Sequence, residues 1–204
     1  RHARTDLAAV VAADMAAFHD LVSRAELAFL VEHSYGWDGI GRGRTAVVLM
    51  EENTWSPAEA AMGWTWVVVA GLPRPLANRP VFDLQGRHLG TPDLIDARAG
   101  VVGEYDSELH LDRVRRRRDV ERDERYRAAG LEPVAMVTGD LAEPWAFVSR
   151  LRAAYARAAR TPAVDRRWTL EPPTWWTPTD TVDRRRALTE HQRARWLRYR
   201  RDAG

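Results

Sequence analysis

Residues 92–106, PDLIDARAGVVGEYD, constrain the fold most, because a β-hairpin pattern here carries four acidic residues. A four-residue loop over residues 97–100 would place Asp93 directly opposite Glu104, and opposed residues share a face of the sheet. Asp106 would point the same way, because side chains two residues apart on a strand share a face. The three carboxylates would then converge, whereas a three-residue loop would shift the pairing by one residue and separate them.

Carboxylates that face one another destabilise a sheet unless something compensates their charge. Local violations of this kind concentrate at functional sites. A hard divalent cation compensates the charge well, since Mg2+ prefers carboxylate oxygens and often takes only one or two from the protein. The hairpin therefore predicts a divalent-metal site, with Mg2+ or Mn2+ as the cofactor. The residues leave a second interpretation open, in which some of these acids are solvated or paired with the Arg-rich helix that follows.

Composition excludes several classes of protein. With 45% apolar and 29% charged residues, the chain is expected to fold around a core. Cysteine is absent, which excludes disulfides and thiolate metal sites and favours a reducing, cytoplasmic location. The sequence has no apolar run of about 18 residues, so no membrane partner is expected. All 31 basic residues are arginine, so any catalytic role usually filled by lysine must be filled by another residue.

Local patterns predict an α/β order of elements. Residues 5–50 show helical spacing of apolar residues, and Ser23 with Glu26 has the pattern of a capping box. Ser56-Pro57-x-Glu59 marks another helix start, with the helix expected to run to about residue 70. Further elements are expected as a hairpin at 80–90, the acidic hairpin, a helix at 112–129, a strand at 131–138 and a helix at 143–160. This order indicates a mixed sheet flanked by helices.

Composition divides the chain into three predicted segments: a helical N-terminal segment (1–54), an α/β domain (55–160) and a C-terminal tail (161–204). The tail holds 10 arginines against 6 acidic residues, so it is basic. It begins with a Pro- and Trp-rich stretch and is expected to form one Arg-rich helix over residues 182–201. The arginines at 184–186 and 193–201 offer a second surface for contacts with phosphate groups.

The acidic hairpin also resembles a known signature. Pro-Asp at 92–93, with Glu-x-Asp at 104–106, is similar to the motif of the PD-(D/E)xK nucleases, which have a restriction-endonuclease-like fold. The stretch EYDSELH at 104–110 resembles the E-x-D-G-x-x-H block of the subgroup related to the very-short-patch repair endonuclease, with Ser107 in place of the usual glycine. The stretch RDVERD at 118–123, Gly130 with the strand after it, and the Ser56-Pro57-x-Glu59 helix start are similar too. The resemblance thus covers residues 55–160.

This resemblance implies roles for individual residues. Asp93, Glu104 and Asp106 would bind the metal, and the implied catalytic set adds His110 as a proton carrier and Glu59 as a further carboxylate. Asp106 occupies the position of the family's lysine; it cannot supply a positive charge there, so it would bind metal or act as a base. Contacts to nucleic acid would come from arginines in the following helix, namely Arg113, Arg115, Arg116, Arg117, Arg118 and Arg122.

The resemblance implies an enzyme, a Mg2+- or Mn2+-dependent DNA endonuclease that hydrolyses phosphodiester bonds. The alternative is the same fold without catalysis, acting as a DNA-binding regulator or antitoxin-like module. The front helices and tail look like those of actinobacterial proteins with a domain of unknown function, and some of these resemble abortive-infection antitoxins. A third interpretation is a structural domain that needs a missing N-terminal half. DNA is the expected partner; a homodimer and a missing upstream winged-helix segment stay open.

Overall fold

The fold is that of a computed structural model, which describes residues 5–106 and 113–201. These residues contain eight α-helices: α1 (Asp6–Phe18), α2 (Arg24–Glu32), α3 (Ile40–Leu49), α4 (Pro57–Trp64), α5 (Arg113–Ala128), α6 (Trp145–Ala158), α7 (Val182–Arg186) and α8 (Glu190–Trp196). They also contain seven strands: β1 (Leu76–Ala77), β2 (Val81–Asp83), β3 (His88–Gly90), β4 (Leu94–Asp96), β5 (Val101–Asp106), β6 (Glu132–Val137) and β7 (Trp168–Thr169). The chain is therefore a mixed α/β protein, as the order of local patterns predicts.

The chain falls into two units. Arg1–Trp64 belongs with Thr177–Gly204 in the first unit, and Thr65–Trp176 forms the second. This division differs from the predicted boundaries after residues 54 and 160. The physical reason lies in the tail, because its beginning supplies β7 to a sheet of the second unit, whereas α7 joins the core of the first.

The core of the first unit is rich in alanine. Ala13 and Ala17 of α1 pack with Ala46 of α3, with Met50 and with Val182 of α7 in one buried cluster. Small side chains at a contact allow helix axes to approach closely. The N-terminal helices and the tail are therefore held together by close packing as well as by polar contacts.

Side-chain caps set the starts of helices in the first unit. The predicted capping box is present at α2, where Ser23 and Glu26 accept each other's backbone N–H. In the tail, Thr189 and Gln192 form another capping box, which begins α8. The single helix predicted over residues 182–201 is therefore wrong, because the Thr189 hydroxyl competes for backbone N–H groups and favours a new helix start.

The second unit contains the predicted mixed sheet. Its strands lie in the order β1-β4-β5-β6, with antiparallel pairs except for the parallel pair β5/β6. A second, antiparallel sheet in the order β3-β2-β7 includes the hairpin predicted at 80–90. Tyr126 of α5 packs with Ile95 and Val102, whereas Tyr155 of α6 bonds to Asp96. Since successive strand residues face opposite sides, helices cover both faces of the four-stranded sheet.

The acidic hairpin has the register that the four-residue loop predicts. β4 and β5 pair Asp96 with Val101, and Gly100 has a φ of 76°, which glycine adopts without a steric penalty. The Asp96 carboxylate accepts two backbone N–H groups of the loop, at 2.9 and 3.0 Å, and so fixes its conformation. Continued by one residue beyond β4, this register places Asp93 opposite Glu104.

The helix predicted to run to about residue 70 is α-helical in its first part and π-helical in its last turn. α4 ends at Trp64, and a π-helical turn follows over Thr65–Val69, in which the Ala70 N–H donates to the Thr65 carbonyl at 2.8 Å. β-branched residues at 65 and 67–69 crowd the turns of a regular helix, which favours a wider turn here.

Candidate functional site

Asp93 lies immediately before β4 and is held against the neighbouring strand. Its carboxylate accepts the backbone N–H of Tyr105 at 2.7 Å, and its carbonyl accepts the N–H of Asn78 at 2.9 Å. Burial raises the pKa of the Asp93 carboxyl to about 6, although the Tyr105 N–H and the positive charge of Arg122 act in the opposite direction. A carboxyl that titrates near neutral pH can exchange its proton for a cation in the physiological range.

Glu104 lies on β5 and forms an ion pair with α5. The Nε of Arg122 is 3.3 Å from Oε1 of Glu104, and the two side chains are 31% and 15% exposed. The second interpretation of the hairpin, in which an acid pairs with the Arg-rich helix, therefore applies to Glu104. Arg122, predicted as a contact to nucleic acid, forms this ion pair in the structure, and its contact with nucleic acid stays a prediction.

Tyr126 follows Arg122 by one helical turn in α5 and packs against Ile95 and Val102, on the face of the sheet that alternation assigns to Asp93 and Glu104. Its side chain is fully buried. Burial raises the pKa of the Tyr126 hydroxyl, and the negative charges of Glu104 and Asp93 raise it further. Sequence reasoning missed this residue, although one signal was there: Tyr126 is the only aromatic residue in the charged sequence of α5.

We call Asp93, Glu104, Arg122 and Tyr126 the Asp93 cluster. It brings together two carboxylates from neighbouring strands, a guanidinium and a phenol. Two carboxylates match what a Mg2+ ion commonly takes from a protein, the rest of its shell being water and substrate oxygens. The oxygen donors of the cluster therefore fit a hard divalent cation, once Glu104 exchanges its ion pair for the metal.

A larger ligand set is not assembled in the described residues. Within 5–106 and 113–201, no three His, Asp or Glu side chains lie close enough together to hold a metal ion. Asp106 is exposed at the end of β5, where alternation places it on the same face as Glu104. The structure therefore brings two of the three predicted metal ligands into one cluster and leaves the third at its solvent edge.

Other predicted site residues lie at the limit of the described chain. His110 falls outside the described residues. Five of the predicted nucleic-acid contacts lie at the start of α5, where the structure describes the helix but not the side chains; these are Arg113, Arg115, Arg116, Arg117 and Arg118. Their roles stay predictions.

Glu59 caps its own helix in the first unit. Its carboxylate accepts the backbone N–H of Trp55 at 2.8 Å and the Ser56 hydroxyl at 3.0 Å, while Ser56 Oγ accepts the Glu59 N–H at 3.2 Å. The side chain is buried. These contacts explain why Ser56-Pro57-x-Glu59 begins α4, and the additional role in catalysis stays a prediction.

Arg185, which the sequence places in a surface for phosphate contacts, is a buried structural residue of the first unit. Its side chain is 1% exposed, so it cannot meet a nucleic acid. It donates to the Asp20 carboxylate at 2.7 Å and to the carbonyls of Ala17, Glu52 and Thr179 at 2.7, 2.9 and 2.9 Å. The prediction of a phosphate-binding surface is therefore wrong for this arginine.

A second arginine, Arg200 near the end of the tail, also binds Asp20. Arg200 donates to both Asp20 carboxylate oxygens, at 2.6 and 3.2 Å. Burial would raise the pKa of the Asp20 carboxyl, but the hydrogen bonds from Arg200 and Arg185 outweigh it and hold the pKa below its usual value. We call Asp20, Arg185 and Arg200 the Asp20 cluster, and its contacts indicate a structural role.

Comparisons of the chain with protein-family models, with curated proteins and with solved structures give no match. None of the helices in the described part of the chain combines the length and the apolar character needed to cross a bilayer.

Proposed function

We propose that this protein is a metal-dependent phosphodiesterase that cleaves DNA, with a restriction-endonuclease-like fold in its second unit. The observation that carries the proposal is the hairpin register, which brings Asp93 and Glu104 into one cluster from neighbouring strands. Asp93 and Glu104 would hold Mg2+ or Mn2+. When bound, the cation supplies charge neutralisation at the phosphate and lowers the pKa of a coordinated water.

The residues of the Asp93 cluster have distinct tasks in this proposal. Asp93 loses its proton near neutral pH, and the Tyr105 N–H keeps the carboxylate oriented. Arg122 pairs with Glu104, and it would be available to a phosphate group if Glu104 bound the cation. Asp106, at the exposed edge, and His110 are proposed to position water and to carry protons.

DNA would reach the cluster along the first turns of α5. The arginines there would contact phosphates next to the scissile bond, and such contacts make affinity strongly dependent on salt. Binding to a short duplex should weaken by at least about tenfold between roughly 50 and 200 mM salt. Affinity that stays constant over this range would refute the phosphate contacts.

Plasmid cleavage tests the metal-dependent chemistry. Wild type should nick supercoiled DNA with Mn2+ or Mg2+ and not with EDTA, and Asp93→Asn should lose at least about tenfold in rate. Asparagine keeps an acceptor for the Tyr105 N–H while removing the charge. Asp165→Asn is the matched control, since Asp165 is an exposed residue of the same unit. Equal cleavage by wild type and Asp93→Asn would refute the assignment.

A second candidate function has a specific observation behind it. The Glu104–Arg122 ion pair already neutralises one of the two carboxylates, which suits a nuclease-like domain that binds DNA without cutting it and acts as a regulator or antitoxin-like module. A thermal-shift titration separates the two functions. A rise in Tm with Mn2+ that Asp93→Asn abolishes supports the enzyme, because a ligand of the native state stabilises it. DNA binding without any such rise supports the regulator.

A further inference from the structure

The Tyr126 hydroxyl is a buried polar group whose hydrogen bonding is unusual. Its side chain is fully buried, and among the described residues the hydroxyl oxygen has no hydrogen-bond partner. Most buried hydroxyls are paired, because an unpaired one costs the free energy of its desolvation. Phenylalanine would fill nearly the same space without that cost, so packing alone does not explain a tyrosine at this position.

Gly90 of β3 makes the space that the hydroxyl occupies. A Cβ at this position would overlap with the Tyr126 hydroxyl oxygen and with the ring carbon that carries it. The glycine therefore admits the phenol to the face of the sheet that carries the two carboxylates, and the negative charges of both raise the pKa of its hydroxyl. A residue with any side chain at position 90 would force Tyr126 to move.

Tyr155, in the same unit, is a tyrosine whose hydroxyl has hydrogen-bond partners in the protein. Its hydroxyl donates to the Asp96 carboxylate at 2.6 Å and accepts the Trp66 indole N–H at 3.0 Å. Both groups lie on the face of the sheet opposite to the Asp93 cluster. The two tyrosines thus differ in their partners, although both hydroxyls lie near aspartates of the acidic hairpin.

We infer that Tyr126 is a positioning residue whose hydroxyl donates a hydrogen bond to an oxygen ligand of the cation that Asp93 and Glu104 would hold. The inference rests on the proposed function, because the ligand is a water or phosphate oxygen that accompanies the bound cation. Ionised carboxylates cannot donate a hydrogen bond, so a phenol on their face of the sheet can supply the donor that orients an oxygen bound to the same cation. Outer partners of this kind typically change metal affinity by about 10- to 100-fold.

Tyr126→Phe and the matched variant Tyr155→Phe test the inference. Tyr155→Phe breaks two hydrogen bonds and should lower Tm by about 5 °C. Tyr126→Phe breaks none among the described residues, so its Tm without metal should equal or exceed that of wild type. Its dissociation constant for Mn2+, measured by calorimetry, should rise by about tenfold, while that of Tyr155→Phe stays within about twofold of wild type.

A spectroscopic signal gives a readout besides affinity. In protein labelled at the tyrosine Cζ, Mg2+ should shift the Tyr126 resonance, because that carbon responds to hydrogen bonding of its hydroxyl, and should leave the Tyr155 resonance in place. Tyr126→Phe with a Tm loss as large as that of Tyr155→Phe, or with unchanged Mn2+ affinity, would overturn the inference and leave the metal site standing. Wild type that binds no Mn2+ and cleaves no DNA would instead overturn the proposed function, and this inference with it.

Discussion

Asp20 in the first unit and Asp93 in the second are both partly buried carboxylates that have arginine nearby, yet their pKa values shift in opposite directions. Asp20 receives hydrogen bonds from two guanidinium groups, and these outweigh the effect of burial. Asp93 receives one backbone N–H, while the positive charge of Arg122 acts from a distance. Direct, charge-assisted hydrogen bonds thus decide the sign of the shift.

The difference distinguishes a structural cluster from a candidate site. Around Asp20, the buried Arg185 donates hydrogen bonds to one carboxylate and three carbonyls. These bonds connect the tail to the N-terminal helices. Around Asp93, one carboxyl carries a raised pKa, and the Tyr126 phenol has no hydrogen-bond partner in the part of the chain that the structure describes. A cluster that leaves polar groups in this state costs stability, and such costs are typical of functional sites. The two clusters should therefore respond in opposite ways to the same kind of substitution.

Removing an arginine should give the largest difference between the two clusters in the free energy of unfolding. Arg185→Met should lower the free energy of unfolding by about 3–5 kcal/mol, because it leaves Asp20 and three carbonyls without their buried partner. Arg122→Met should lower it by less, about 1–2 kcal/mol, since the Arg122 side chain is 31% exposed whereas that of Arg185 is 1% exposed. Urea unfolding of both variants measures the contrast, and similar losses in the two would show that the Asp93 cluster is structural too.

Removing the charge of Asp93 should stabilise the protein, with a clear dependence on pH. A carboxyl whose pKa is raised on folding contributes stability below its unfolded pKa and loses it as the pH rises through the folded value of about 6. Asp93→Asn should therefore raise the free energy of unfolding by about 1–3 kcal/mol near pH 8 and change it little near pH 4. Unfolding curves at the two pH values measure this, and a destabilised variant near pH 8 would contradict the raised pKa.

Removing the charge of Asp20 should change the free energy of unfolding in the opposite direction. A carboxyl whose pKa is lowered on folding contributes stability above its unfolded pKa, and the contribution disappears as the pH falls through the folded value. Asp20→Asn should cost about 1–2 kcal/mol near pH 7, after solvent screening, and less in acid. The same pair of unfolding curves at neutral and acid pH provides the check. A cost independent of pH would mean that packing, not charge, holds this cluster.

The smallest expected effect concerns competition between Arg122 and a metal ion for the Glu104 carboxylate. Near pH 8 Asp93 is ionised, so Arg122→Met should improve Mn2+ affinity by a few fold, because Glu104 no longer has to leave an ion pair. Arg87→Met is the control, since Arg87 is an exposed arginine that also pairs with a carboxylate, that of Asp83, in the same unit. Calorimetric titration of wild type and both variants measures the effect. Weaker Mn2+ binding by Arg122→Met would show that the arginine orients Glu104 for the metal instead of competing with it.

Local signals predicted the parts of the site that depend on neighbouring residues. Gly100 and the spacing of the acids led to the hairpin register, because a four-residue loop leaves one pairing. The capping box at Ser23 and the side-chain cap at Ser56 led to the starts of α2 and α4, since each joins residues three positions apart. The arginines of the tail were misassigned, because charge alone does not say which guanidinium is exposed.

By itself, the sequence determined that Asp93 and Glu104 share one face of a mixed sheet if the hairpin loop has four residues, since strand alternation is a local property. Only the tertiary structure decided which helical residues meet that face. The rotation of α5 about its axis brings Arg122 to Glu104 and buries Tyr126 against Gly90. The packing of α7 in the first unit likewise turned Arg185 from a surface charge into a buried donor. Both outcomes depend on contacts between residues far apart in the chain, which no local pattern specifies.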